Sequence, residues 1–389
     1  MKKTIFSFAV LLVSAGIQAQ SVDDVLRSVE TNNVELKALQ KGNEAATLEM
    51  KQQNALEDFS VEYSPFFNGE VSGVTSSELV VKQGFDFPTL YGARRKENRL
   101  QGEVLDMQYR MARRDVLLAA KQACIGIIHL NKQKELLAER KRVADELLVF
   151  FTEKFDNGDA TSLELNKVKM DRMTLETELA NAETERMKLV RQLQTLNGGK
   201  SIQLETTDYP QIRTESYESM YERAASSDWS VKSAQAAVRA AEQGVKVNKQ
   251  GILPKLEIGY RRNTDGDDAN NGFLIGGSIP LFSNRGRVKT AKAKYEEAQM
   301  KQNDAQIRAE LSARALVDEV VRLRAAADAY DVPLMRQTLQ LLRTALENGQ
   351  ISVTDYFVET DGVYRNMLAQ MAVENQYQSV LADVLKNDL

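Results

Sequence analysis

The feature that most constrains this chain is a passage it makes twice. Asn271 to Ala291 reads NGFLIGGSIPLFSNRGRVKTA, with Phe273, Ile275, Gly277, Ile279 and Leu281 at alternate positions, all apolar or Gly. That period of two marks a strand laying one face on apolar surroundings. Pro280 stops ladder pairing, Ser283-Asn284-Arg285-Gly286 makes a turn, and a charged, alanine-rich helix begins at about Arg287. Leu79 to Arg95, LVVKQGFDFPTLYGARR, makes the same transition through Phe87, Pro88 and Gly92. Gly84 aligns with Gly277 and Arg94 with Arg287 at a shift of 193 residues; Leu36-Lys37 align with Val231-Lys232 at 195, and Asn157-Gly158 with Asn348-Gly349 at 191. Three anchors at near-constant spacing identify a duplicated chain.

Residues 1–19 read as a secretory leader. Lys2 and Lys3 precede an apolar run from Phe6 to Val13, and Ile17-Gln18-Ala19 offers small-residue cleavage before Gln20. The run is shorter than the roughly 20 residues a membrane-spanning helix needs. Cys124 is the only cysteine, so no disulfide is available within the chain and none of its cysteines stands at the cleavage site to carry a lipid. Without the two leader lysines the chain has 49 basic and 55 acidic residues, which argues against nucleic acid as a partner. No later segment is apolar enough for a transmembrane helix, so membrane residence would have to come from strands.

The expected order is helix, two strands, helix, helix, once in residues 20–199 and again in 216–389, with 200–215 as a linker. Ser21-Val22-Asp23-Asp24 resembles a capping box opening a helix that runs to about Leu56. Phe59, Val61, Tyr63 and Phe67 alternate with polar residues, and Leu79, Val81, Phe85 and Phe87 alternate again, predicting two strands. From Ala93 to about Phe155 the pattern is helical, with Leu136, Val143, Leu147 and Phe151 on one stripe; such a helix reaches roughly 95 Å if straight. A return helix from about Thr161 carries Val168, Leu175, Leu179, Ala182, Leu189, Leu193 and Leu196 in steps of three and four, interrupted by Arg172 and Arg186. That period of 3.5 predicts supercoiled packing. The second half predicts helices over Ser216–Lys249, Arg287–Glu347 and Val353–Leu385, and strands over Leu253–Arg262 and Gly272–Leu281. Mainly helical architecture with a small β part is the fold class.

Four strands leave two open edges, which lipid does not tolerate. Eight strands is the lower limit for a membrane barrel, and three copies supply twelve. Two separate small sheets capping helical bundles in a soluble protein remain the alternative at this level.

With these residues in view, the chain resembles the TolC-like outer-membrane factor family over Gln20 to Leu389. The resemblance rests on the leader, the doubled order, Asn33-Val34-Glu35-Leu36 and the two strand-to-helix passages. Ile279-Pro280-Leu281-Phe282 followed by Asn284-Arg285-Gly286, with Gln83 to Pro88, is most similar to the CzcC-type branch associated with heavy-metal efflux. The resemblance implies a homotrimer in the outer membrane with a twelve-stranded barrel and a periplasmic helical tunnel. It implies docking on a periplasmic adaptor linked to an inner-membrane pump of the RND type, with no catalysis and no cofactor. Asn157-Gly158 and Asn348-Gly349 would be the periplasmic tips, matching the family's tip glycines. Acidic residues six and nine positions after the second tip glycine can ring the family's aperture. Asp355 fills the first place, while Val358 stands in the second with Glu359 next to it. Glu164 is the equivalent of Asp355 in the first repeat. Both carboxylates equally suit a helix's first turn, where the dipole favours negative charge. The rival reading is a periplasmic coiled-coil adaptor or scaffold outside the membrane.

Other residues point away from chemistry. His129 is the only histidine and excludes a multi-histidine metal site within one chain. Cys124 reads as a packing residue, Met107, Met111, Met170 and Met173 as flexible core fillers, and Asp265-Gly266-Asp267-Asp268 as an exposed hairpin loop lacking the spaced ligands of a calcium loop.

Overall fold

The computed structural model describes residues 20–70, 72–211, 215–280 and 285–389. The leader, Leu281 and the Ser283-Asn284 part of the second passage lie outside them. The described chain comprises α1 (Val22–Asn32), α2 (Val34–Gln52), β1 (Ser60–Phe67), β2 (Val74–Phe85), α3 (Pro88–Asp156), α4 (Ser162–Leu196), α5 (Tyr217–Ser226), α6 (Trp229–Gln250), β3 (Lys255–Asp265), β4 (Asp268–Ser278), α7 (Arg287–Asp328), α8 (Val332–Glu347) and α9 (Val353–Val384). It is mostly helical with one small antiparallel sheet.

Three helices expected to be continuous are each split in two, and a capping side chain does the splitting. Asn33 accepts from the Leu36 amide at 2.9 Å and separates α1 from α2. Asp228 accepts from the Ser230 and Val231 amides and separates α5 from α6. Asp331 accepts from the Leu334 amide at 2.9 Å and starts α8, with Pro333 in its first turn. Each cap satisfies amides that have no partner inside their own helix. The first passage is also tighter than expected: α3 begins at Pro88, whose fixed φ and missing N–H suit a first helical position. Gly92 therefore lies inside the helix.

The chain divides into two compact units that each draw on both repeats. One holds the segment up to Asn32 with Ala119–Arg213 and Arg322–Ser379; the other holds Asn33–Leu118, Thr214–Val321 and Val380–Leu389. In the first, the predicted seam of the return helix is buried: Val168, Leu175 and Leu193 are fully covered and Ala182 nearly so. Leu137 and Ala144 of α3 pack against Leu175 and Ala182 of α4. Arg186, which breaks the apolar pattern, is buried in that seam and hydrogen-bonds Asn131 at 2.7 Å and Glu205 at 2.5 Å. Residues 200–211 of the linker form a strap there: Ile202, Leu204 and Tyr209 are buried, and the Asn131 amide donates to the carbonyls of Leu204 and Thr206.

The second unit holds the sheet, in the order β1-β2-β3-β4 with every pair antiparallel. The two chain reversals within the β1–β2 and β3–β4 hairpins lie at one end of the strands. The connections to α2, α3, α6 and α7 all lie at the other end.

Candidate functional site

The sheet separates its side chains by chemistry. Register places Val61, Val81, Tyr260 and Phe273 in one row across all four strands, with Gln83, Ile258 and Ile275 beside it, and then Phe85, Leu256 and Gly277. Successive residues point to opposite faces, so these share one face. On β4 its apolar groups are uncovered, Phe273 being 92% exposed and Ile275 88%, while Val81 and Phe85 of β2 are half-buried and Arg262 shares the face toward the hairpin end. The other face carries Glu62, Glu78, Lys82, Glu257 and Arg261, with Gly84, Gly259, Gly272 and Gly276 among them and two apolar residues, Leu274 and buried Val80. Arg261 pairs with Glu78 at 2.8 Å, and Lys82 reaches Glu257 at 4.0 Å. A β-carbon at Gly259 would stand 2.6 Å from the Val81 carbonyl, so β2 and β3 approach there as only Gly permits. The outer edges of β1 and β4 have no strand beside them among the described residues.

The passages out of the sheet are pinned. Asp86 pairs with Arg94 at 2.6 Å, its amide donates to the Tyr91 hydroxyl at 3.0 Å, and the Phe87 carbonyl accepts from the Leu90 amide at 2.8 Å. At the equivalent Gly277 a β-carbon would meet the Lys255 carbonyl at 2.7 Å. β4 ends at Ser278, before Pro280 and short of the expected Leu281, and the carbonyl of Gly286 (φ +86°) accepts from the Thr290 amide at 2.8 Å to start α7.

In the first unit the two hairpin turns are copies of each other. The Asp159 amide donates to the Lys154 carbonyl and the Gln350 amide to the Ala345 carbonyl, each at 2.8 Å, while Gly158 (φ +81°) and Gly349 (φ +68°) take the left-handed position. This is the Schellman closure that a glycine after an Asn enables. Both turns pack into one cluster formed by Leu147, Phe151, Leu165, Leu346, Tyr356 and Phe357. The copying extends to the return helices. The Thr161 amide and hydroxyl donate to Glu164 at 2.7 and 2.8 Å, and the Glu164 amide donates back to the Thr161 hydroxyl. The Ser352 hydroxyl donates to Asp355 at 2.6 Å, and the Asp355 amide donates back to Ser352. Glu164 and Asp355 therefore both cap the starts of their own helices; Asp355 is exposed and Glu164 half-exposed.

No protein-family profile and no curated protein sequence matches the chain. Solved structures do match it along nearly its whole length. The outer membrane channel MtrE of Neisseria gonorrhoeae, in an open state, superposes with a TM-score of 0.76 at 12% identity, covering 94% of this chain and 88% of that one. CusC, described in terms of transmembrane channel formation, gives 0.73 at 15% identity over 95% and 92%. The outer membrane protein VceC of Vibrio cholerae gives 0.72 at 15% identity over 94% and 95%. The chain has the fold of an outer-membrane channel.

Within this channel fold, sequence reasoning missed a charged cluster in the first unit. Arg140 of α3, only 11% exposed, pairs with Asp171 of α4 at 2.9 Å, reaches Asp361 of α9 at 3.8 Å and lies 4.8 Å from the Tyr364 ring centre. Burial pushes the Asp171 carboxyl above its ordinary value although Arg140 opposes the shift. Nothing in the local pattern at Arg140 distinguishes it from the solvated charges around it.

The residues set aside at the sequence level carry no assembled chemistry among those described. Cys124 is fully buried, which pushes its thiol up to about 12. His129 is half-buried, and burial lowers its pKa against an opposing hydrogen bond with the Met371 backbone. No group of three His, Cys, Asp or Glu side chains that could hold a metal ion occurs among the described residues. One expectation is corrected: Met170 and Met173 are 51% and 57% exposed rather than core fillers, because they lie on the face of α4 away from its seam.

The turns give a testable consequence. Thr161→Ala removes the hydroxyl that caps α4 and is expected to destabilise the protein by about 1 kcal/mol. The Thr161 hydrogen bonds hold the Glu164 carboxyl below its ordinary 4.5. Its stabilisation is therefore present above that value and lost as pH falls through the depressed one. Melting curves in detergent should show the Thr161→Ala deficit at neutral pH and its shrinkage in acid.

Proposed function

We propose that the protein is the outer-membrane exit duct of a tripartite efflux system, passive and without catalysis or cofactor. The observation that carries this reading is the sheet: one face uncovered and apolar, the other polar and glycine-rich, and both edges unpaired. Water would penalise the first feature and lipid the last, and closure of several sheets into a barrel removes both penalties. Strands of 8 to 12 residues suit the span of a tilted transmembrane strand, for which about 9–11 are needed. Three chains give twelve strands, with the exposed apolar row toward lipid and the charged, glycine-rich face lining the pore.

The likeness to outer-membrane channels supports that placement, and the family resemblance supplies the partners: a periplasmic adaptor at the Gly158 and Gly349 turns and an inner-membrane pump behind it. Metal cations, suggested by the CzcC-type resemblance, and small toxic molecules are the cargo classes. Three Asp355 carboxylates around a narrow axis would concentrate cations and hinder anions, with Glu164 as a second contributor. Membrane fractionation with oligomeric mass in detergent tests the assembly; a trimer in the outer membrane is expected, and a water-soluble periplasmic monomer would favour the adaptor or scaffold reading instead. Asp355→Ala should make the closed channel leakier, and an unaltered closed-state conductance would remove Asp355 from the aperture.

A further inference from the structure

At the end of the sheet from which the helices leave, the chain concentrates positive charge that it does not neutralise. A groove of about 570 Å³ between the end of α2 and the first turns of α3 is lined by Lys51, Arg95 and Arg99 with no carboxylate among its lining residues. None of the three cations makes an ion pair among the described residues. Of the acidic groups in the neighbouring stretches, Asp86 pairs with Arg94, Glu44 with Lys41 and Asp106 with Arg110, while Glu97, between Arg95 and Arg99 in sequence, lines a separate groove beside Arg285, Arg287 and Lys294, and Glu49 is outside the lining. The groove is held in shape by asparagine rungs between the two helices. Asn98 donates to the Met50 carbonyl at 2.6 Å, Asn43 to that of Leu105 at 3.1 Å and Asn54 to that of Tyr91 at 3.3 Å. The duplicated passage repeats the charge: Arg285 to Lys294, RGRVKTAKAK, holds five basic residues and no acidic one. A chain with a net charge of −4 thus assembles two basic runs at the same end of one sheet. Basic side chains near a helix start oppose the dipole, which favours anions there, so local helix stability does not account for them.

We propose that this groove binds the phosphate of an anionic phospholipid headgroup at the membrane surface where the strands emerge. The inference rests on the reading that the sheet enters a bilayer. Three guanidinium or ammonium groups around one cavity suit a phosphodiester, to which arginine donates in a fork and lysine as a point charge. Arg95 and Arg99 lie about two and three helical turns into α3, which follows β2 closely, on the side where headgroups would meet a barrel whose apolar face begins at Phe85 and Leu256.

The full-length protein, purified in detergent, is mixed with phosphatidylglycerol or phosphatidylcholine, and the retained lipid is counted by native mass spectrometry. Phosphatidylglycerol should be retained in preference, and Lys51→Gln/Arg95→Gln/Arg99→Gln should reduce its binding at least tenfold, each surface cation being worth about fivefold. Arg95→Lys/Arg99→Lys should keep most of the binding, and Lys301→Gln, on α7, all of it. If the triple variant misfolds, Lys51→Gln alone should lose about fivefold. Equal retention of both lipids, or undiminished binding by the glutamine variants, overturns the proposal. Displacement of the lipid by an equal concentration of inorganic phosphate overturns the headgroup assignment in favour of a free phosphate site. Wild-type conductance tests the duct separately: pores without lipid preference defeat this inference alone, whereas absence of pores defeats the duct.

Discussion

Arginine in place of Ile275 should prevent the protein from assembling in a membrane, whereas arginine in place of Leu274, the next residue, should be tolerated. The two side chains leave β4 on opposite faces. Ile275 pairs across the strand with Ile258 on the exposed apolar face, and Leu274 pairs with Gly259 on the face that carries the Lys82, Glu257 and Arg261 charges. Near the middle of a bilayer an outward arginine costs about 2–4 kcal/mol, and the proposed trimer would incur that cost in each of its chains. An inward one meets water and a neighbouring glycine and should cost under about 1 kcal/mol. The amounts of assembled trimer in the outer membrane for Ile275→Arg and Leu274→Arg measure the contrast. Equal effects would mean that the sheet's two faces do not separate lipid from pore.

Arg140→Met should destabilise the first unit by about 3 kcal/mol at neutral pH. The substitution keeps the length and apolar stem of the side chain but removes the charge that partners buried Asp171. Asp361 is half-exposed and keeps its own pair with Arg365 at 3.1 Å, so the loss falls on Asp171. Burial already raises the Asp171 carboxyl above its ordinary 3.8, and loss of Arg140 raises it further. A carboxyl with a raised folded pKa is stabilising in its protonated form and costs stability as pH rises through that value. The deficit of Arg140→Met should therefore shrink as pH is lowered through the folded pKa toward 3.8. Thermal melts of the detergent-solubilised protein across acid and neutral pH would show this, and a deficit independent of pH would assign the loss to packing.

Much of the fold was legible because it depends on short-range rules. Alternation at Phe273, Ile275 and Gly277 gave the strand, Asn-Gly gave each hairpin turn, and the steps from Val168 to Leu193 gave the buried seam. The helix breaks were harder to read, because Asn33 and Asp228 fit a helical pattern as solvated polar residues and act as caps only when the chain bends. The break at Asp331 did carry a signal that the continuous Arg287–Glu347 expectation passed over: Pro333, two residues on, suits a first turn and not a helix interior. Arg140 has no local signature at all: its partners lie on α4 and α9, 31 and 221 residues away, so only packing brings them together. At the tips, the turn geometry was legible in Gly158 and Gly349. The dual engagement of Glu164 and Asp355 follows from Thr161 and Ser352, three residues before each. Those two serine-threonine positions were the signal for a cap.

Single-channel recording of the purified protein in a planar bilayer, on the same preparation whose oligomeric mass is measured in detergent, tests the central claim most directly. The account predicts a trimer that forms discrete, cation-preferring pores. A monomer or dimer that stays soluble without detergent and produces no conductance steps would contradict it.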